Sequence, residues 1–190
     1  MPPPLVATRY LWSAWALSWV AAAAWSGRTV ARESAGDRLR YGLWLWVGLF
    51  LIFVQARRMP PWLFTRVVPT WSWLSWAGVG FVGIGFAYAW WARLHLGRLW
   101  SGAVTLKAGH RVVRTGPYAL TRHPIYTGLL LALAATVLVR GDLAGVLGLP
   151  FVLMGARAKV ALEERLLMRH FADDYARYRR EVPALVPRFW

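Results

Sequence analysis

Five apolar stretches dominate the chain: residues 5–25, 41–56, 71–92, 125–139 and 143–156. The first, broken only by Arg9 near its start, and the third reach the roughly 20 residues that a membrane-crossing helix needs. The other three are shorter. In 190 residues they leave too little polar chain to bury all five, so the pattern predicts five membrane helices. The expectation is an all-α integral membrane protein, one membrane domain over residues 1–190. The first stretch is not read as a cleavable leader: it lacks a basic start, and Trp25-Ser26-Gly27 is a poor cleavage site. After the fifth stretch nothing breaks the helix. Residues 157–170 are strong helix formers, so this helix is expected to continue into water, with Pro183 and Pro187 breaking the tail.

Composition agrees. Hydrophobic residues make up 58% and charged residues 16%, against roughly 45–50% and about 25% in soluble domains. Absence of Cys excludes a disulfide, a thiolate zinc site, an iron–sulfur cluster and a Cys nucleophile. The net charge of +15 is concentrated beside the apolar runs, which argues against a nucleic-acid partner. Segment 93–122 has six Lys or Arg and no acid; the tail 157–190 has eight against five acids. The loop after the fourth run carries only Arg140 and Asp142. The positive-inside rule then puts both basic segments in the cytoplasm and the N-terminus outside. Arg57, Arg58 and Arg66 fall in a loop that this topology places outside, against the rule. The Arg and Ala bias suggests a GC-rich bacterial genome, hence a bacterial inner membrane.

Trp62, Trp71, Trp73, Trp76, Trp90, Trp91 and Trp100 lie near predicted helix ends, as interfacial anchors do. Gly78, Gly80, Gly83 and Gly85 in the third run read as small-residue helix contacts.

Polar chemistry is confined to three blocks. Gly109 to Tyr118 includes a Gly116-Pro117 turn. In Arg122 to Gly128, Pro124 suits the first turn of the fourth helix, His123 then sits at its cap, and Tyr126 points toward the same place. Arg122 and His123 add donors near free backbone N–H groups, an arrangement that favours an anion. Third, Lys159 and Glu163 share a helix face and are also compatible with a surface ion pair; Glu164 points elsewhere. Asp173, Asp174, Arg177, Arg179 and Arg180 read as a solvated face.

Together these blocks resemble the isoprenylcysteine carboxyl methyltransferase family and its phospholipid N-methyltransferase relatives. The matching residues are His110-x-Val112-Val113, Gly116-x-Tyr118, Arg122-His123-Pro124-x-Tyr126-x-Gly128, Glu163-Glu164 and Phe171-x-x-x-Tyr175-x-x-Tyr178 ending at Val182-Pro183. The resemblance spans residues 98–187; the first three helices match only in character. It implies a membrane enzyme that uses S-adenosyl-L-methionine without a metal. It further implies that His110, Arg111, Val112, Val113, Tyr118, His123, Pro124, Ile125, Tyr126 and Glu163 line the cofactor pocket. Glu163, His123 and Lys159 would act at the reacting centre, Lys159 replacing a family arginine in the substrate-binding role. Lys keeps that charge but lacks the bidentate fork that matches a carboxylate. The implied acceptor is lipid-like or isoprenoid, methylated at a carboxylate or an amine, and reached from the bilayer. An amine acceptor would give His123 or Glu163 a base role. Two alternatives stay open at this point: an NADPH-dependent reductase of sterol-reductase type, and a non-enzymatic transporter or scaffold.

Overall fold

The computed structural model describes residues 2–55, 59–109 and 111–186. Each apolar stretch supplies most of its residues to one helix: α1 Pro3–Ala23, α2 Ala35–Phe53, α3 Ser72–Leu96, α4 Pro124–Arg140 and α5 Leu143–Glu181. Local signals set their ends. Prolines occupy the first turn of α1 and of α4, where a missing N–H costs no helical bond. Ser34 Oγ accepts from the Asp37 N–H at the start of α2, and an Asp142 oxygen accepts from the Gly145 N–H at the start of α5. Gly141, at φ +69°, ends α4 in the left-handed conformation.

As expected, α5 runs on past its apolar part. It is broken at Ala172, where φ is +27°. By length and composition, Leu143–Glu181 is the helix among the described residues long and apolar enough to cross a membrane; Pro124–Arg140 is apolar but shorter.

The structure corrects the all-α expectation in one place. Residues Thr29–Arg32 (β1) pair antiparallel with Thr105–Lys107 (β2). The strands are only four and three residues long, too short for a period-2 pattern to stand out. They join the α1–α2 connection to the α3–α4 connection.

The helices associate chiefly as two close pairs, α3 with α4 and α2 with α5, and glycines set both. A Cβ on Gly128 would lie 2.4 Å from the Gly85 carbonyl oxygen, and one on Gly85 would lie 2.5 Å from that of Gly128. Gly48 and Gly148 oppose each other in the same way across α2 and α5. Of the four glycines singled out in α3, Gly78 and Gly85 make such contacts. Gly80 and Gly83 face open space.

Trp12 of α1 packs against both buried clusters, Ile52–Leu133–Val137–Val152 and Val82–Phe86–Ala132–Ala135. Its Nε1 donates to Thr136 Oγ1 at 2.8 Å. At the other end of α1, the fully buried Arg93 donates to the carbonyls of Ala22, Trp25 and Gly97. Its guanidinium lies 4.4 Å from the Trp100 ring centroid. This Arg thus fastens the end of α1 to the turn that follows α3.

The charges that disobeyed the topology rule fall in two groups. Arg57 and Arg58 lie outside the described residues. Arg66 donates to the carbonyls of Val68 and Arg140, so it is anchored at the C-terminal end of α4, where the helix dipole favours a cation.

Candidate active site

His123 forms the N-cap of α4 and Pro124 its first residue, the arrangement read from the sequence. The chain reaches this point through a 3-10 turn, Gly116–Ala119. Gly116 has φ +59°, and a Cβ there would lie 2.2 Å from His95 Nε2. Behind the turn the tail closes over: backbone N–H groups of Arg122 and His123 donate to the carbonyls of Pro183 and Ala184, and Thr127 Oγ1 donates to that of Leu185.

The two adjacent acids of α5 divide the work as their angular offset requires. Glu164 turns inward and is buried. It binds Arg122 at 2.7 Å, His123 Nε2 at 3.2 Å and Arg179 at 3.4 Å. Glu163 turns toward a cavity. It accepts from the Tyr126 hydroxyl at 2.5 Å and lies 3.3 Å from His123 Nδ1. Both imidazole nitrogens therefore meet a carboxylate. Burial alone would lower the His123 pKa, but hydrogen bonding and charge from Glu163 and Glu164 outweigh it and raise the value. Glu164 is the counterpart: burial opposes its charge, yet its bonds to His123 and Arg122 hold its carboxyl down to about 2.

The cavity measures about 270 Å³. Of the residues singled out in the sequence, Tyr118, His123, Ile125, Tyr126, Lys159 and Glu163 line it. Pro124 is fully buried and is not among the lining residues. Arg111, Val112 and Val113 line a separate pocket that shares Leu96 and Leu99 as a common wall. His110 lies outside the described residues. Lys159 does not take the surface ion pair with Glu163 that spacing allowed. Its Nζ donates to the Gly102 carbonyl at 2.7 Å and lies over both the Tyr126 and the Tyr41 ring.

Sequence reasoning missed the wall formed by Trp100 to Thr105. It is irregular chain without a motif, and only its place between two recognisable blocks hinted at a role. It missed Trp19 too, which has no motif around it but lines the same cavity, and Trp100, read as an interfacial anchor, is part of the wall. Asp173, Asp174, Arg177, Arg179 and Arg180 are exposed, as the sequence reading of a solvated face expects, but two of them also pair with distant residues. Asp174 accepts from Arg114 at 3.1 Å, and Arg179 reaches Glu164.

A family profile described as isoprenylcysteine carboxyl methyltransferase (ICMT) matches residues 78–169, which include α4, the cavity-facing part of α5 and Gly85. Over that stretch the chain is similar to the isoprenylcysteine carboxyl methyltransferase family. The tail after residue 169, part of the resemblance drawn from sequence, lies beyond it.

The cobalt-zinc-cadmium resistance protein CzcN of Cupriavidus metallidurans is 36% identical over 96 residues, 49% of this chain and 44% of that protein. Methanethiol S-methyltransferase 1 of Bradyrhizobium diazoefficiens is 40% identical over 73 residues, 37% of this chain and 24% of that protein. The matches thus span under half the length of either relative. A eukaryotic intramembrane Ras methyltransferase, ICMT, shares the fold with TM-score 0.55 and 22% identity, over 79% of this chain and 53% of that one.

Proposed function

We propose that this protein is a membrane-embedded methyltransferase that uses S-adenosyl-L-methionine to methylate a lipid-like acceptor. The observation that carries the reading is the convergence of His123, Tyr126, Lys159 and Glu163 on one cavity within the stretch shared with the family. A membrane setting is supported by the outer faces of the first three helices. Leu17 and Val20 of α1 and Trp46 of α2 are 73%, 73% and 74% exposed, and Phe81 and Ile84 of α3 are also exposed. Apolar surface of that extent is accounted for if lipid covers it, which favours five spans and one membrane domain. The two strands put the end of α1 beside the basic segment 93–122, so the α1–α2 connection with Arg28 and Arg32 shares the side assigned to the cytoplasm. The proposed location is the inner membrane of a bacterium, N-terminus outside, C-terminus cytoplasmic, with residues 98–187 as the methyltransferase-like, cofactor-binding portion.

The donor set fits the cofactor. A carboxylate, Glu163, faces a cavity with aromatic walls at Trp19, Trp100, Tyr118 and Tyr126, suited to a cationic, partly aromatic ligand. Thr105, also on the wall, has a buried hydroxyl without a partner among the described residues, a polar group that a ligand would satisfy. Tyr118, His123, Ile125, Tyr126 and Glu163 would hold it in this cavity, and Arg111, Val112 and Val113 would meet it only across the wall at Leu96 and Leu99. When bound, S-adenosyl-L-methionine supplies a sulfonium-activated methyl group, so the protein needs neither a metal nor a nucleophile of its own.

What the chain must add is alignment and exclusion of water. His123 is engaged by acids at both ring nitrogens, Nδ1 by Glu163 and Nε2 by Glu164. Its role in this reading is positioning, and the base role offered by sequence passes to Glu163, which would take the proton of an amine acceptor. Lys159 supplies a positive charge beside the reacting centre for a carboxylate acceptor. A small thiol is a second acceptor class, favoured by the methanethiol S-methyltransferase relative; Lys159 would then favour the thiolate. The test is calorimetric. Glu163→Ala and His123→Ala are each expected to weaken S-adenosylhomocysteine binding by at least ~1.4 kcal/mol, about tenfold. Unchanged affinity in both folded variants would refute the assignment.

A further inference from the structure

The stretch shared with the family starts at residue 78, yet the cavity wall is held by residues far upstream of it. Glu33 directly follows β1, and its side chain is fully buried. Its two oxygens serve different partners. Oε1 accepts from the Tyr41 hydroxyl at 2.9 Å and from the Arg38 guanidinium at 3.0 Å. Oε2 accepts from the Val104 N–H at 3.0 Å. The Glu33 N–H also donates to the Val104 carbonyl at 3.0 Å. One residue thus holds both backbone polar atoms of Val104, which is itself buried and lies within the 100–105 wall.

Tyr41 extends this link to the other side of the cavity. Its ring centroid lies 5.4 Å from Lys159 Nζ, and that of Tyr126 lies 5.5 Å away. The ammonium thus lies over two π faces, which attract a cation, while donating to Gly102 of the same wall. The chain Val104–Glu33–Tyr41–Lys159 has no gap wider than a direct contact.

We propose that Glu33 and Tyr41 are positioning residues for the cavity. Glu33 fixes the 100–105 wall through Val104 and fixes Tyr41, and the Tyr41 ring, with that of Tyr126, holds the Lys159 ammonium beside Glu163. Arg38 neutralises the acid from the solvent side and, being about half exposed at its side chain, is not part of the wall. The placement of Lys159 stands on geometry alone; its effect on cofactor affinity rests on the methyltransferase reading above.

Lys107 and Lys159 are the two lysines of the chain, so amine reactivity can be read residue by residue. The full chain in detergent is labelled by reductive dimethylation and mapped by mass spectrometry, Lys107 serving as internal reference. Tyr41→Leu is expected to raise the Lys159 labelling rate about threefold relative to Lys107. Tyr41→Phe, which keeps the ring, is expected to retain most of the protection. Glu33→Gln, which keeps the shape but cannot accept at both ends, is expected to raise Lys159 labelling and to weaken S-adenosylhomocysteine binding about tenfold. Arg38→Ala is expected to change neither.

Unchanged Lys159 labelling in Tyr41→Leu and Glu33→Gln would overturn the proposal, as would a parallel rise at both lysines, the sign of general loosening. If the unaltered protein binds no S-adenosylhomocysteine, the cofactor reading fails, and the labelling pattern alone still decides whether these two residues place Lys159.

Discussion

Gly128 offers the sharpest test of how the site is held, because it stands four residues beyond Pro124 on the helix that presents His123 and Tyr126. In Gly128→Ala the new Cβ would lie 2.4 Å from the Gly85 oxygen, 2.8 Å from the Ala89 nitrogen and 3.1 Å from the Ala89 Cβ. The first two neighbours are backbone and have no rotamer to escape into. Ordinary carbon contacts need about 3.5–4.0 Å, so α3 and α4 must part by on the order of 1 Å. Overpacking of this kind costs about 1–3 kcal/mol, and each kcal/mol shifts Tm by about 2–4 °C in a protein of this size. A fall of roughly 2–12 °C follows. Gly83→Ala is the matched control, since nothing lies within 4 Å of its Cβ and Ala is the better helix former. It should leave Tm unchanged or slightly higher. Thermal unfolding of both variants in the same detergent reads the difference. A Gly128→Ala Tm no lower than that of Gly83→Ala would refute the glycine seam.

The His123 cluster makes stability depend on pH. Because the His123 pKa is raised on folding, its contribution is full below the unfolded value of 6.5 and is lost as pH rises through the higher folded value. His123→Gln should therefore cost stability at pH 6 and progressively less in more alkaline buffer; a pH-independent Tm difference would contradict this. Glu164 has the opposite sign: its contribution is present above about 4.5 and is lost as pH falls toward about 2, and Glu164→Gln should remove that acid-side dependence in Tm-against-pH curves. Trp12→Phe keeps an aromatic ring in the core but removes the Nε1–Thr136 bond; chemical denaturation should show a loss of about 1 kcal/mol, largely absent when Thr136→Val is already in place.

The helices were legible because each apolar run is bounded by chemistry with local meaning. Pro124 after His123 specified a helix start, and Gly141 with Asp142 specified the break between α4 and α5. The offset between Glu163 and Glu164 was legible from helix geometry, which is why the cavity-facing acid was identified. Other features depend on distant residues. Gly80 and Gly83 look like Gly78 and Gly85 in sequence, and only the path of α4 decides which pair makes contact. Glu33 has no motif around it; its importance comes from Val104, 71 positions along the chain. Asp174 and Arg179 keep the exposure of a solvated face, and only the fold shows that they reach Arg114 and Glu164.

The central claim is that the cavity between α4 and α5 takes an adenosyl-sulfonium donor. Calorimetric titration of the detergent-purified protein with S-adenosylhomocysteine, with NADPH as the parallel titrant, tests it directly. Saturable binding of S-adenosylhomocysteine, no heat from NADPH and loss of the signal in Glu163→Ala is the predicted result. Binding of NADPH alone would contradict the account and point to a reductase, and binding of neither to a folded protein would point to a non-enzymatic role.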